Sequence, residues 1–431
     1  MRLHRIAIRN YKSLHRVEVR PGPLTVLVGP NGAGKTNFID SLDFLGLVYR
    51  FGLETAISHK AGFENVAFRR QRRSKGAIEF EIAVEMAHVR IPLFALSKAQ
   101  LKRPLTKSVQ LLHSFSFRAK GSGIRAEYVV QSEQLEIKSQ HEGSNQFETS
   151  GILKSQHGGP VRLSSVADDE IGYYLSSRSY LRQKSEEIEE LPLRSNQELF
   201  FIRLSLFSSF LRRFVQQLGQ IAVFRFAPES SRADGVPTPN PVLSATGANL
   251  PALVDWLQRK DASTWSTVMA AMREIIIGLE DIRVDYTPSK TLGLLFKERS
   301  NSRYWTAKDV SDGTLNTLAM LVAIVDKRIS LLALEEPENS VHPWIIRQLI
   351  GQFRSLSKEK SLFVTTHSPV VIDTLEPHEI WAVYKCRGET KIENLCDLDS
   401  SLSKLWRDGK VRLAEYLDAG LIPPVVPGGT Q

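Results

Sequence analysis

The sequence predicts an α/β fold with a mostly parallel sheet flanked by helices, an antiparallel β subdomain and a helical insert. Three observations support it. The apolar strand Leu24–Val28 leads into a glycine-rich loop and then a helix. Alternating strands with polar breaks run from Ala77 to about Ser150. The final third alternates helix and strand, which is typical of a parallel sheet covered by helices on both faces.

Hydrophobic spacing places the individual elements. Leu3–Ile8 and Val17–Val19 alternate around a polar turn at Asn10–Ser13, which predicts an antiparallel strand pair. Helical spacing follows Lys35 as far as about Phe44. Further strands are expected at Ser330–Leu334 and Leu362–Thr365, and further helices after Thr314 and from about Pro343.

These elements predict four regions. Residues 1–68 and 221–395 form the main α/β domain, and residues 69–164 form the antiparallel β subdomain. Residues 165–220 form the helical insert, and residues 396–431 form a C-terminal tail.

Composition narrows the class of protein. The 431 residues are 42% hydrophobic and 24% charged, with no apolar run long enough to span a bilayer and no apolar N-terminal signal. The two cysteines, Cys386 and Cys396, lack a CxxC partner, which argues against a disulfide framework or zinc site and fits the cytoplasm. The formal charge of +9 is compatible with simple solubility or with a polyanionic partner.

The segment Gly29-Pro-Asn-Gly-Ala-Gly34-Lys35-Thr36 matches G-x-x-x-x-G-K-[ST] in full. Glycines let backbone N–H groups converge on phosphates, and the helix from Lys35 adds its positive dipole end. Lys35 would neutralise the β- and γ-phosphates, and Thr36 would offer its hydroxyl to Mg²⁺. The alternative is a glycine turn carrying an exposed lysine.

An apolar strand ends in paired carboxylates at Glu335 and Glu336. A buried strand delivers such groups to the edge of a parallel sheet where ligands bind. Glu335 would hold the water shell of Mg²⁺, and Glu336 would orient the attacking water. Without the phosphate loop, the pair would equally fit the N-terminal charge of a helix.

Two further positions suit an anionic ligand. His367 follows the strand Leu362–Thr366 and could hydrogen-bond a γ-phosphate, although a lone histidine there is more often structural. Ser311, Asp312 and Gly313 precede a helix, where a hydroxyl and a backbone N–H make an anion site. An ordinary helix N-cap explains the same three residues.

In this order the four motifs resemble those of the ABC ATPase superfamily of P-loop NTPases: Walker A, signature, Walker B with a catalytic glutamate, and the histidine switch. Within it, the chain resembles the RecF-like and SMC-like group, and most of all the stand-alone AAA_21-like and AAA_15-like ATPases related to OLD-family nucleases. The segments that carry the resemblance are Ile8–Leu14, Gly29–Asn37, Ser311–Thr314, Leu334–Glu338 with His342-Pro343, and Thr365–Pro369.

The resemblance implies two ATP molecules, with Mg²⁺, between two protomers. Walker A, Walker B and His367 would act from one subunit, while Ser311 and Gly313 would reach the γ-phosphate from the other. It implies catalytic roles for Glu336 and His367 and metal binding by Thr36 and Glu335. The implied nucleotide-binding residues are Pro30, Asn31, Gly32, Ala33, Gly34, Lys35, Thr36, Asn37, Ser311, Asp312 and Gly313. Lys12 either lies near the nucleotide or is a solvated turn lysine.

The sequence departs from the family pattern at several points. Glu335 stands where Walker B usually has aspartate, and the signature is Val-Ser-Asp-Gly-Thr rather than the transporters' Ser-Gly-Gly-Gln. OLD nucleases carry a Toprim domain after the ATPase, whereas here Asp397-Leu-Asp399 has the metal-binding spacing without the flanking fold. We therefore expect no nuclease activity in this chain itself.

The basic cluster Arg69-Arg70-Gln-Arg72-Arg73-Ser-Lys75 suits contact with nucleic-acid phosphates. It has no interleaved aromatic residue to stack on bases, so a solvated loop explains it equally well.

The expected function is an ATP-dependent nucleic-acid sensor or clamp in antiphage defence, acting as a homodimer or higher oligomer with a separate effector such as a nuclease, and without a membrane. The alternative is a RecF-like DNA repair or recombination ATPase. The energy subunit of an ABC transporter is a third interpretation, which the β insert and the Glu-Glu-Pro-Glu segment disfavour.

Overall fold

The computed structural model describes residues 1–68, 76–87, 106–121, 127–141, 145–157, 159, 161–166, 171, 197–356 and 360–419. The chain divides into two compact units. The first comprises Met1–Pro21, Asn37–Ile221 and Lys385–Ile392, and the second comprises Gly22–Thr36, Ala222–Tyr384 and Glu393–Gln431. The boundaries of these two units differ from those of the four regions expected from the sequence. The four-region division stays a prediction.

The strands of the described residues are β1 (Arg2–Tyr11), β2 (Leu14–Val19), β3 (Leu24–Val28), β4 (Ile78–Ala87), β5 (Thr106–Lys120), β6 (Glu127–His141), β7 (Glu148–Gln156), β8 (Arg162–Val166), β9 (Ile221–Phe224), β10 (Leu279–Tyr286), β11 (Leu292–Glu298), β12 (Tyr304–Thr306), β13 (Leu331–Glu335), β14 (Ser361–Thr366), β15 (Ile380–Cys386) and β16 (Glu389–Asn394).

The helices are α1 (Lys35–Phe51), α2 (Leu53–His59), α3 (Phe63–Val66), α4 (Phe200–Phe207), α5 (Ser209–Leu218), α6 (Pro228–Ser231), α7 (Leu250–Lys260), α8 (Ala262–Ile275), α9 (Asp312–Val325), α10 (Pro343–Leu356), α11 (Pro369–Ile372), α12 (Leu395–Leu398), α13 (Leu402–Arg407) and α14 (Leu413–Asp418), with a 3₁₀ turn at Pro377–Glu379. Within the described ranges, no helix combines the length and apolar character needed to cross a bilayer.

An antiparallel sheet of order β2-β1-β4-β5-β6-β7-β8 dominates the first unit. In β4, strict alternation buries one face of the strand, at Ile78, Phe80, Ile82 and Val84. Phe44 of α1 stacks on Phe80, so the helix covers this face. The strand pair β1–β2 and the strands from Ala77 onward agree with the alternation in the sequence.

A six-stranded sheet has the order β16-β15-β3-β14-β13-β9, and its strands β3, β14 and β13 belong to the second unit. Strand β3 pairs in parallel with β14 and β15, and β14 pairs in parallel with β13. All five residues of β3 are buried, as a central parallel strand requires. Strands β10, β11 and β12 form a small antiparallel sheet.

Helix α9 is buried around its whole circumference, with every residue from Gly313 to Ile324 buried. A helix of this kind must lie inside the protein. It packs against α8 and α10. The predicted signature residues lie at its N-terminal end.

Candidate nucleotide-binding site

The ends of three parallel strands bring the predicted site residues together. Val28 of β3 is paired with Thr366 of β14, and Thr365 is paired with Glu335 of β13. Gly29, Glu336 and His367 are the next residues of these strands, so all three leave the sheet at the same edge. This carboxyl edge is where open α/β sheets bind ligands.

The loop after β3 depends on glycine for two different reasons. Gly29 lies against β15, and a Cβ there would meet the Val383 carbonyl oxygen at 1.9 Å. Gly32 and Gly34 instead have positive φ angles of 75° and 118°, which side chains oppose. The loop then enters α1 at Lys35, with backbone N–H groups at the start of a helix.

Lys35 is 7% exposed, and its ammonium donates to the loop itself. Its Nζ lies 2.8 Å from the Gly29 carbonyl oxygen and 3.2 Å from that of Pro30. Burial lowers the pKa of Lys35 to about 8, although the negative charges of Glu336 and Glu338 raise it. The cation and the two carboxylates therefore belong to one electrostatic cluster.

Glu336 adopts a left-handed backbone conformation, with φ of 48°. Its N–H donates to the carbonyl oxygen of Thr365 at 3.0 Å and to the hydroxyl of Thr365 at 3.3 Å. The Asn339 amide donates to Glu336 Oε2 at 2.9 Å. The turn costs roughly 1–3 kcal/mol of strain, and these bonds hold it and aim the carboxylate.

Glu338 joins the acidic loop to the end of β14. Its Oε1 accepts from the Thr366 hydroxyl at 2.6 Å and from the His367 N–H at 3.1 Å. Its Oε2 is buried and has no hydrogen-bond partner among the described residues. A buried acceptor of this kind is rare in proteins and suits an additional polar ligand.

The His367 side chain lies in the field of the same cluster. Partial burial, and then the charge of Lys35, lowers the pKa of His367, while Glu336 and Glu338 raise it. The imidazole is therefore mainly neutral at pH 7, able to donate one hydrogen bond and accept another.

Ser311 caps helix α9. Its hydroxyl accepts from the Thr314 N–H at 3.2 Å, and its side chain is exposed. Behind the cap, a Cβ on Gly313 would meet the Ser340 carbonyl oxygen at 3.2 Å. Asn316 donates to the Asn339 carbonyl oxygen at 3.2 Å, so the start of α9 is fastened to the acidic loop.

The chain matches a known protein family over most of its length. The family model described as "AAA domain, putative AbiEii toxin, Type IV TA system" matches residues 24–373. The chain belongs to this family. The resemblance to AAA_21-like P-loop ATPases is therefore confirmed, as is the mixed α/β fold expected from the sequence.

Two curated proteins are similar over shorter segments. The OLD nuclease of Thermus scotoductus is 42% identical over 43 residues, which are 10% of this chain and 8% of that protein. The DNA replication and repair protein RecF of Azotobacter vinelandii is 32% identical over 132 residues, 27% of this chain and 34% of that protein. The aligned segments thus span 8% of the first relative and about a third of the second.

Solved structures of SMC heads are also similar. An SmcHead bound to the C-winged helix domain of ScpA has a TM-score of 0.47 at 11% identity, covering 91% of this chain and 97% of that one. The SMC head domain from Thermotoga maritima has a TM-score of 0.41 at 14% identity, covering 91% and 99%. TM-scores below 0.5 are too low to decide fold or function.

The structure brings Lys35, Glu336 and His367 together as the motifs suggest, and Glu335 ends the strand beside them. Their individual roles stay predictions. Glu338, Asn339 and Thr366 were assigned no role from the sequence, although Glu-Pro-Glu-Asn and Thr-Thr-His stand in the motifs. The available signal was that these three polar residues stand within three positions of Glu336 or His367.

Other predicted residues are held by internal bonds. Asn37 donates to the Ser13 hydroxyl at 2.7 Å, and Lys12 is paired with Asp40 of α1. Asp399 accepts hydrogen bonds from Ser401 and Tyr416. The basic cluster at residues 69–75 lies outside the described residues.

Proposed function

We propose that the chain binds ATP with Mg²⁺ at residues 29–36 and hydrolyses the ATP in a head-to-tail dimer. The observation that carries the proposal is the cluster of Lys35, Glu336, Glu338 and His367 at one sheet edge. Phosphoryl transfer needs charge neutralisation, metal binding and an oriented nucleophile, and these groups can supply each of them.

The residues fit a metal–triphosphate ligand. Gly29 lies where a side chain cannot be placed, and the left-handed Gly32 and Gly34 open the loop for backbone amides to turn inward. The buried Glu338 Oε2 supplies an acceptor for a hydrated cation. Thr36 and Glu335 would hold the Mg²⁺, whose charge would offset that of the phosphates.

The remaining groups would act on the γ-phosphate and on water. Lys35 neutralises charge on the β- and γ-phosphates, and Glu336, aimed by Asn339, accepts a proton from the attacking water. His367 hydrogen-bonds the γ-phosphate from the neighbouring strand. Ser311 and Gly313 of the second copy complete the site, since both stand at the start of a buried helix.

Light scattering with ATP and Mg²⁺ tests the dimer. Glu336→Gln should bind ATP, lose about 10²–10⁴-fold in turnover, and double its mass on ATP addition. Lys35→Ala should not bind ATP and should keep its mass. A Glu336→Gln protein whose mass is unaffected by ATP would contradict the dimer, and parental turnover would contradict the role of Glu336.

The process we propose is ATP-dependent sensing or clamping of nucleic acid in the cytoplasm, in antiphage defence with a separate effector such as a nuclease. The net charge of +9 and the local similarity to an OLD nuclease support it. Fluorescence anisotropy should show Glu336→Gln binding labelled duplex DNA more tightly with ATP than without it. A DNA affinity that is independent of both ATP and salt concentration would contradict the proposed clamp.

The alternative is DNA repair, which the 132-residue similarity to a RecF protein favours. A deletion strain separates the two. Unchanged phage plating with increased sensitivity to DNA damage supports repair, and the opposite pair of results supports defence.

A further inference from the structure

Arg232 is the capping residue at the end of α6, about eighty positions before the signature segment it contacts. Its guanidinium donates to the carbonyl oxygens of Ala307, of Lys308 at 3.2 Å and of Val310 at 2.9 Å. It also pairs with the Asp312 carboxylate. One side chain therefore binds three carbonyl oxygens of the loop that leads into α9 and the first residue of that helix.

The planar fork of arginine suits this arrangement. Five N–H donors in fixed directions can serve several acceptors at once, which a lysine ammonium on a flexible stem cannot reproduce. The Arg232 side chain is only 25% exposed, so its bonds compete little with water.

The rest of the loop is fastened locally. Asp309 accepts from the Thr306 N–H at 3.1 Å and from the Thr306 hydroxyl at 2.6 Å, where the loop leaves β12. At its other end, Ser311 caps α9. Between these points, Arg232 supplies the side-chain bonds to the loop from a distant part of the sequence, and the Ala307 N–H donates to the Leu294 carbonyl oxygen at 3.1 Å.

The positive charge of Arg232 has a second effect, on the carboxylate of Asp312. Asp312 places a carboxylate next to Ser311, where the proposed dimer brings the triphosphate of the other copy. An uncompensated carboxylate would repel that anion. The Arg232 guanidinium neutralises Asp312 without occupying the Ser311 hydroxyl.

We infer that Arg232 is a positioning residue for the signature serine, acting on the ATP bound by the other subunit. This inference rests on the proposed head-to-tail dimer. Arg232→Gln should leave ATP binding by the monomer within about twofold, since the loop that it serves is not the phosphate loop. It should reduce turnover about a hundredfold, the usual effect of displacing a site group by about 1 Å. The turnover of Arg232→Lys, which keeps the charge, should lie between that of the parent protein and that of Arg232→Gln.

Mixing two inactive variants separates action across the dimer from damage within one subunit. Lys35→Ala lacks nucleotide but has an intact signature, and Arg232→Gln has an intact phosphate loop. Their heterodimer contains one complete site with ATP bound by the Arg232→Gln copy, so the mixture should turn over ATP faster than either variant alone. Lys35→Ala mixed with Ser311→Ala should behave the same way.

Each outcome is decisive. Recovery in both mixtures supports the inference. Recovery with Ser311→Ala but not with Arg232→Gln overturns the role of Arg232 alone, while no recovery in either overturns the shared site as well. Recovery only with Arg232→Gln also overturns the inference, because the role is exerted through Ser311. Arg259→Gln, which removes an exposed pair with Asp255, is the control and should retain parental activity.

Discussion

The Thr366 hydroxyl donates to Oε1 of Glu338 at 2.6 Å, and this bond ties the acidic loop after β13 to the end of β14. The His367 N–H donates to the same oxygen at 3.1 Å. Glu336 and His367 are thus positioned relative to one another through Glu338, which the sequence did not single out.

Thr366→Val tests this link, since valine keeps the shape and removes the hydroxyl. The substitution removes the donor to Glu338 and the acceptor of the Ser368 N–H at 2.9 Å, and should cost about 1–3 kcal/mol of unfolding free energy. Turnover should also fall, because the acidic loop is less well held against His367. Thermal unfolding and phosphate release measure the two effects.

Thr267→Val is the matched control. Thr267 is exposed on α8 and donates only to the Ser263 carbonyl oxygen at 3.2 Å. Its effect should stay within about 0.5 kcal/mol. Equal effects of the two substitutions would show that the Thr366 bond is unimportant.

ATP affinity should depend on the ionisation of Lys35. Burial lowers the pKa of Lys35 to about 8, and only the protonated form attracts phosphate. Affinity should therefore be highest below pH 8 and weaken by up to about tenfold per pH unit above it, because binding then requires proton uptake. Titration calorimetry from about pH 7 to 9.5, in buffers of different ionisation enthalpy, measures both the ATP affinity and the number of protons taken up on binding.

Lys35→Arg keeps its charge throughout this range and should show no such decline. An affinity of the parent protein that is independent of pH would mean that Lys35 does not titrate where its burial implies.

Two glycines of the phosphate loop should respond differently to alanine. Gly29→Ala forces a Cβ to within 1.9 Å of the Val383 carbonyl oxygen, and strands β3 and β15 would have to separate. The cost should be about 3 kcal/mol or more. At Gly32 the space is open and only the φ of 75° opposes the change, so we expect about 1–2 kcal/mol.

Chemical denaturation gives both values for the loop glycines. A smaller loss for Gly29→Ala than for Gly32→Ala would contradict the close approach of the loop to β15.

A buried polar chain in the first unit should contribute strongly to its stability. Glu133 is 3% exposed and accepts from the N–H groups of Phe200 at 2.6 Å and Phe201 at 2.9 Å. His113 lies 2.9 Å from Glu133 and 2.6 Å from the Tyr49 hydroxyl. Burial, and then the charge of Glu133, raises the pKa of Tyr49, so its hydroxyl stays protonated as the donor to His113.

Glu133→Gln would place an amide N–H donor among the N–H groups of Phe200, Phe201 and His113. This should lower the free energy of unfolding by about 2–4 kcal/mol. Glu127→Gln on the same strand is the control, since Glu127 is exposed and 3.9 Å from Lys120. It should change stability by less than about 0.5 kcal/mol. Similar melting temperatures for the two variants would refute the importance of the chain.

Much of the ATPase core follows from local pattern. The run Leu24–Val28, the glycines and the helical spacing after Lys35 each depend on neighbouring residues, and the structure has the strand, loop and helix in those places. The strands before Glu336 and His367 were likewise visible as short apolar runs. Because parallel strands align their carboxyl ends, the sequence alone implied that these side chains share an edge.

Tertiary structure decided what holds these groups. Arg232 reaches Asp312 across 80 positions, Asn316 reaches the Asn339 carbonyl across 23, and the Glu338 acceptor meets Thr366 across 28. No periodicity or motif spacing encodes such contacts, because they depend on how helices and loops pack over the sheet. The sequence by itself determined which chemical groups stand at the strand ends, and packing determined which neighbours orient them.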